Sequence, residues 1–519
     1  MRNLYGVDIM VEATEIAKLR LFLKMMAVVE VDFRADNMGL DPLPDIDFNI
    51  RCGNTLVGYA TEEELVKDLD TPSDFNQMWA NDEFKDKLKT EMQLVATAYE
   101  TFKAVQFTQS EDMATFKQAK RELNERLGKL NELLNRRLHA ATTSIPYEDW
   151  LETHQPFHWL AEFYQIIHDN GGFDVIIGNP PYVEYSKIRK RYIICNFKSL
   201  DSGNLYAYVI ERSLNISHQG ARNGMIIQMS AFCTPRMKSF QTYWFENASF
   251  ASLAFFDDRP GKLFDNLQHI RVVIPILQKG KKNHFVATTC YNKFYSEYRP
   301  HLFLTLNYFK SSVAVMDFSV IKIHSSIEES IVKKLWNSAK RIRSYESQTP
   351  NSNFIYYGYG YGYFGKILNH KSYFKGEKIA ESTGDKYYYI QSDKNKNVFV
   401  ALMNSSLFYW FYVNYSDGHN FTKTVIGDMP FQYYEDKELL DLTDKLMLDL
   451  EDKSGIKYAN YKSTGHVEYQ EYYPKKSKSI IDEIDKIIAL HYKFTEEELD
   501  FIINYDIKYR MGDELNMEE

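Results

Sequence analysis

The feature that most constrains this chain is a short run, Phe173-Asp174-Val175-Ile176-Ile177-Gly178, that ends in Asn179-Pro180-Pro181-Tyr182. The run reads as a hydrophobic β-strand. Two consecutive prolines stop it, because neither has an N–H for a ladder and both fix φ. A chance match to the tetrapeptide in a chain of 519 residues is on the order of three in a thousand. In open α/β sheets ligands bind beyond the carboxyl ends of strands, where this tetrapeptide lies. Carbonyls beside the prolines are left as acceptors for a donor-bearing ligand. An exocyclic amine is such a donor: the Asn179 side-chain oxygen and the Pro180 carbonyl would hold its two N–H groups. Those bonds localise the nitrogen lone pair and orient it for in-line attack on an electrophilic methyl group. Tyr182 offers a stacking face, and a base embedded in a duplex reaches such a pocket only when flipped out. The plainer reading is a rigid turn that closes a strand.

The surrounding pattern supports a sheet. Leu4-Tyr5-Gly6-Val7-Asp8-Ile9 reads as a short strand, and the next stretch, Glu12 to Val29, carries Ile16, Leu19, Leu23 and Met26 at helical spacing. Phe48 to Cys52 is a second strand running into Gly53-Asn54. From about Thr61 to Trp159 lies a charged helical insertion in which Leu123, Leu127, Leu130, Leu134 and Leu138 form a stripe, the pattern of a helical hairpin. Beyond the tetrapeptide, a helix over Asn204 to His218 and strands at Gly224 to Ser230, Ser252 to Asp257 and Ile270 to Leu277 imply a parallel-rich α/β sheet. After Lys279 the texture turns to tyrosine, lysine and asparagine, and two helices, Ser479 to Tyr492 and Glu496 to Tyr505, end the chain.

Charge sharpens the picture. The chain carries a net −9, yet Arg271 to Arg343 holds 13 Lys plus Arg against 4 Asp plus Glu. A basic stretch within an acidic chain points to nucleic acid better than the overall balance does. Aromatic residues make up 15% of the chain, which supplies stacking faces as well as core volume. No apolar run approaches the ~18 residues needed to span a bilayer, no signal peptide is read, and the expected location is the cytoplasm. The four cysteines, Cys52, Cys195, Cys233 and Cys290, include no C-x-x-C pair, so neither a zinc site nor a disulfide framework is expected. His154 and His158 stand four apart, but Pro156 between them breaks the helix and no third ligand is evident. We expect a solvated or core pair there, and no metal.

These segments together resemble the methyltransferases that make N6-methyladenine in DNA, specifically the methylase part of type IIG restriction-modification enzymes. The resemblance covers nearly the whole chain. It implies that Asp8 accepts hydrogen bonds from the ribose of S-adenosylmethionine, with Ile9 beside it, and that Asn54 in Cys52-Gly53-Asn54-Thr55-Leu56 faces the cofactor's adenine. Phe173 to Tyr182 would be the catalytic motif, with Asn179, Pro180, Pro181 and Tyr182 as its working residues. Gly203-Asn204-Leu205-Tyr206 and Gly224-Met225-Ile226-Ile227 are similar to segments downstream of it. Phe264, in Gly261-Lys262-Leu263-Phe264, is the second stacking candidate, its alternative being a core phenylalanine. Met403 to Trp410 and the chain's ending look like the target-recognition part, where Arg341 and Arg343 would read guanine or hold phosphate of double-stranded DNA.

The implied fold is a truncated Rossmann-like, S-adenosylmethionine-dependent sheet at 1–60 and 160–279, interrupted by a helical insertion at 61–159. An α+β target-recognition domain follows at 280–435 and a helical segment at 436–519. The family's glycine-rich first motif is not found upstream of Asp8. The one G-x-G-x-x-G match, Gly360 to Gly365, reads as a flexible aromatic loop rather than a nucleotide site. The missing strand belongs between those ending at Asp8 and Gly178, so both neighbours should expose unpaired backbone and apolar faces. Three expectations follow: part of a larger enzyme, a subunit whose upstream polypeptide partner supplies the motif, or a DNA-binding module without catalysis. No nuclease motif is read.

Overall fold

The computed structural model describes residues 3–34, 45–69, 75–107, 113–142, 145–265, 269–283 and 285–512. It divides into two compact units, Met1–Ile227 with Ser239–Phe250 and Ile276–Lys282, and Gln228–Lys238 with Ala251–Pro275 and Asn283–Glu519.

The first unit opens with β1 (Gly6–Asp8), α1 (Val11–Met26) and β2 (Ile50–Cys52), with β1 and β2 parallel and Asp8 opposite Cys52. Four helices follow: α2 (Glu62–Leu69), α3 (Phe75–Phe107), α4 (Met113–Thr142) and α5 (Tyr147–His154). The leucine stripe is the hairpin's core. Leu123, Leu127, Leu130 and Leu134 are buried against Leu88, Met92, Val95 and Phe102, and the same cluster takes in Phe48, Tyr59, Leu160 and Ile216. The insertion therefore shares its core with the segments that flank it. Then come α6 (Trp159–Glu162), β3 (Phe173–Gly178), α7 (Tyr185–Ile188), α8 (Leu205–Asn215) and β4 (Ser217–Met225).

β3 pairs in parallel with β4, whose other side pairs antiparallel with Ile276 to Gln278. In the second unit Ser252 to Phe256 run parallel to Val286–Asn292, which pairs antiparallel with Phe309–Ser311. The architecture is thus mixed α/β on mixed sheets, with more antiparallel pairing than the alternating pattern suggested. The segment read as a strand at Gly224 to Ser230 is the end of β4, a two-residue strand Ile227–Gln228, and a 3-10 turn Met229–Phe232. Two three-stranded antiparallel sheets and a helical layer complete this unit. In that layer every residue of Ser406–Tyr415 is buried, and the Asp485 carboxylate accepts the Ser406 N–H at its amino end.

The open faces fall where the sequence placed them. Among the described residues β1 pairs only with β2 and β3 only with β4. Val175 and Ile177, on one face of β3, are 61% and 80% exposed. Helix α1 keeps its amphipathic spacing, but Ile16, Leu19, Leu23 and Met26 are all at least half exposed, and only Thr14 is buried. Periodicity says which face wants cover; it does not supply the cover.

The glycine-rich tyrosine loop departs from its reading as flexible. Tyr361 is 3% exposed, packs on Phe408, Tyr412 and Phe421, and donates to the Met403 carbonyl. Arg510 lies over the Phe364 ring. Buried aromatic anchors hold the loop, and Gly365 provides close approach: a Cβ there would meet the Tyr361 ring at 2.7 Å.

Candidate active site

β3 ends at Gly178, and the prolines carry the chain out of the sheet. Pro180 is buried, whereas Asn179 and Pro181 are exposed. Among the described residues the Asn179 side chain forms no hydrogen bond, so its amide is available to a ligand. Tyr182 is half-buried: its hydroxyl donates to the Ile226 carbonyl at 3.0 Å, and its ring meets Tyr206 edge-on at 6.4 Å. Burial pushes the Tyr182 phenol up to about 12, so it stays a neutral donor at physiological pH.

Both downstream segments singled out in the sequence converge on this turn. The Leu205 N–H donates to the Val183 carbonyl and the Tyr185 N–H to the Gly203 carbonyl, which clamps Gly203-Asn204-Leu205 onto the residues after Tyr182. The Ile226 N–H donates to Gly178, so Gly224 to Ile226 brackets the other side. A Cβ at Gly178 would lie 2.9 Å from the Met225 sulfur, so the Met225 side chain packs against the strand's end. Farther along, the buried Glu211 carboxylate on α8 accepts the Lys198 and Ser199 N–H groups at 2.8 and 2.9 Å and the Ser199 hydroxyl at 2.7 Å. It fixes the loop that leads from the tetrapeptide to α8.

Asp8, Ile9 and Asn54 come together at the carboxyl ends of β1 and β2, where the Gly53 N–H donates to the Asp8 carbonyl at 2.9 Å. Asp8 and Ile9 are exposed, and the Asp8 carboxylate accepts the Met10 N–H. Asn54 is 3% exposed, and its amide nitrogen is buried beside the Tyr192 hydroxyl without a well-formed hydrogen bond. An exposed carboxylate acceptor and a buried amide donor are the groups a nucleoside needs, one for ribose hydroxyls and one for a ring nitrogen. The residues present therefore fit the cofactor that the sequence implies.

One connection escaped the sequence reading. The Asn54 N–H donates to the Gln155 carbonyl, and the neighbouring His154 accepts the Ile193 N–H through Nε2 at 3.2 Å. The segment around Gln155, a residue with φ of 46°, thus ties the Asn54 loop to the arm beyond Tyr182. His158 is fully buried. Its Nδ1 accepts the Tyr59 N–H at 3.0 Å, so Nε2 carries the proton it shares with Asn135 Oδ1 at 2.9 Å. Burial, with the nearby Arg212 charge, pushes this imidazole down to about 3. The two histidines are core residues. No cluster of metal-binding side chains occurs among the described residues.

The remaining candidates lie in the second unit. Phe264 is 39% exposed and so is not a core residue. Arg341 pairs with Asp317 at 2.7 Å, and Arg343 pairs with the fully buried Asp428, so both guanidiniums are already engaged by acids.

Comparison with known proteins follows the same lines. A search of curated proteins matches a protein of Methanocaldococcus jannaschii named as a type II restriction enzyme and methyltransferase, 27% identical over 308 residues. That match covers 51% of this chain and 25% of the relative, so the chain spans about a quarter of its relative's length. Among solved structures, the type ISP restriction-modification enzyme LlaBIII bound to DNA is 10% identical, with 69% of this chain and 36% of that one covered at a TM-score of 0.31. The type IIG restriction endonuclease BpuSI is 11% identical, with 77% and 54% covered at a TM-score of 0.25. The family model of the Eco57I restriction-modification methylases matches residues 2–261, a span that contains β1, the Asn54 loop and the whole tetrapeptide arm. With half of its length matched, including every segment that meets at the turn after β3, this chain belongs to the Eco57I restriction-modification methylase family.

Proposed function

We propose that this chain is a site-specific DNA methyltransferase acting on adenine N6 in a flipped-out base, within a restriction-modification or related defence system. The observation that carries the reading is the Asn179 amide, exposed and without a bond to any described residue at the end of β3, on a turn clamped from both sides. S-adenosylmethionine, when bound, supplies an electrophilic methyl group. Asp8, with Ile9, would hold its ribose, and the buried Asn54 amide its adenine. The Asn179 oxygen and the Pro180 carbonyl accept the two N–H groups of the target amine and keep its lone pair out of the ring. That nitrogen would take the methyl group as the donor's carbon–sulfur bond breaks, its electron pair leaving a neutral thioether, and would lose one proton to solvent. Tyr182, whose hydroxyl is anchored on Ile226, presents its ring to the base. Phe264 is the second stacking residue, while Arg341 and Arg343 contact DNA only if their acidic partners release them.

The catalytic sheet in this reading is Rossmann-like, and an upstream polypeptide supplies a glycine-rich strand and loop beside the open edges of β1 and β3. Labelled S-adenosylmethionine and mixed-sequence DNA, with the chain alone and with its upstream coding region, test this. Label in DNA under either condition supports the reading, and none under both removes it. A second reading, a DNA-binding module without methyl transfer, is favoured by those same open edges. It predicts salt-sensitive DNA binding that Asn179→Ala and the cofactor leave unchanged.

A further inference from the structure

The second unit carries a rigid lip of apolar side chains with nothing covering them. The nine-residue 3-10 helix Ser296–Leu304 ends in Phe303 and Leu304, which are 58% and 84% exposed. The lip is not a loose loop. Leu302 is buried beneath it, the Thr305 N–H and hydroxyl both donate to the Leu302 carbonyl, and the Phe303 ring rests edge-on against buried Phe256 at 6.1 Å. Pro300 stiffens its middle.

The loop that presents Phe264 is stitched to the segment leading into that helix at two points and to the helix itself at one. The Asp257 N–H donates to Asn292 at 3.0 Å and the Gly261 N–H to Phe294 at 2.7 Å, and Arg299 pairs with Asp265, the residue after Phe264, at 2.8 Å. A Cβ on Gly261 would lie 2.5 Å from the Phe294 carbonyl, so the two segments touch backbone to backbone. Phe264 and the Phe303-Leu304 tip are therefore parts of one fixed surface.

A fixed surface cannot fold its apolar groups inward, and each forfeits most of the ~1.5–3 kcal/mol that burial would contribute. Cations stand on the segments that flank the helix in sequence and at its start. Arg259, Lys310 and Lys508 are exposed and Lys262 is half exposed, with Lys508 over the exposed Tyr295 ring. The one exposed acid in the helix is Glu297. A partner that satisfies both the cations and the apolar tip needs phosphates outside and flat apolar faces inside. Duplex DNA opened at a base step has both.

We infer that Phe303 and Leu304 form a wedge that enters the base stack of duplex DNA and unstacks one step. The inference rests on the methyltransferase reading and adds the element that opens the duplex, which that reading leaves unassigned. The test uses the full chain. A nicked plasmid is sealed by ligase in its presence, and the shift in linking number reports unwinding. Its affinity is also measured for paired duplex and for duplex with a single mismatch, whose step is cheaper to open. The wild-type chain should unwind the plasmid and prefer the mismatch about tenfold. Phe303→Ser with Leu304→Ser should lose both while keeping its melting temperature and the salt dependence of binding. Leu490→Ser, at another exposed leucine (79%), should change neither. Wild-type binding with no unwinding, or a double variant that unwinds as well as wild type, overturns the wedge and leaves the methyltransferase reading to the label-transfer assay. Failure to bind duplex at all overturns both.

Discussion

Replacing Val175 and Ile177 together by alanine measures whether the face of β3 is open. Full burial of such side chains is worth about 1.5–3 kcal/mol each. At 61% and 80% exposure they retain, between them, little more than half of one buried side chain. The expected loss of stability in the chain alone is therefore about 1–1.5 kcal/mol, including the weaker strand propensity of alanine. Leu160→Ala, at a position with 0% exposure, should by contrast cost about 2–5 kcal/mol. Denaturant unfolding of the first unit, followed by circular dichroism, reads both. The comparison becomes sharper with the upstream polypeptide present. If it docks on β3, the same double change should then cost about 4 kcal/mol or more, because both side chains are buried in the complex. A loss above about 3 kcal/mol in the chain alone would refute the open face, and an unchanged cost with the polypeptide bound would refute its docking there.

Three further outcomes are expected. Asn179→Ala should lower methyl transfer by about 100-fold or more without moving the melting temperature, since the side chain is exposed and unbonded. Glu211→Ala should cost about 3 kcal/mol by stranding the Lys198 and Ser199 N–H groups, a loss read by thermal melting. For His158 the folded pKa, about 3, lies below the ordinary 6.5, so its contribution is present above pH 6.5 and is lost as pH falls towards 3. That loss is on the order of 5 kcal/mol, and His158→Gln should flatten the acid limb of a stability–pH profile.

Local chemistry was legible where the sequence carries it within a few residues. Phe173 to Gly178 forms the strand that its apolar run and the prolines demand, with bounds as read. The leucine stripe of α4 is buried as its spacing requires. Contacts set by distant segments were not legible. Nothing near Gln155 announces that its carbonyl meets Asn54, a hundred residues away, and nothing in Gly360 to Gly365 announces that Tyr361 is buried among aromatic rings from 408 to 421. The spacing of α1 predicted a covered face, and periodicity cannot tell whether a cover is present.

The hairpin of α3 and α4 bears on the order in which this chain assembles. Its two arms meet through residues close in sequence, so it closes with little loop entropy and forms early. The partners of β1 and β3, by contrast, stand on opposite sides of it. Because Phe48 and Ile216 share the hairpin's core, the finished hairpin draws the segments before and after it towards each other. It works as a nucleus and a tether, and a substitution at Leu130 would slow maturation of a site it never touches.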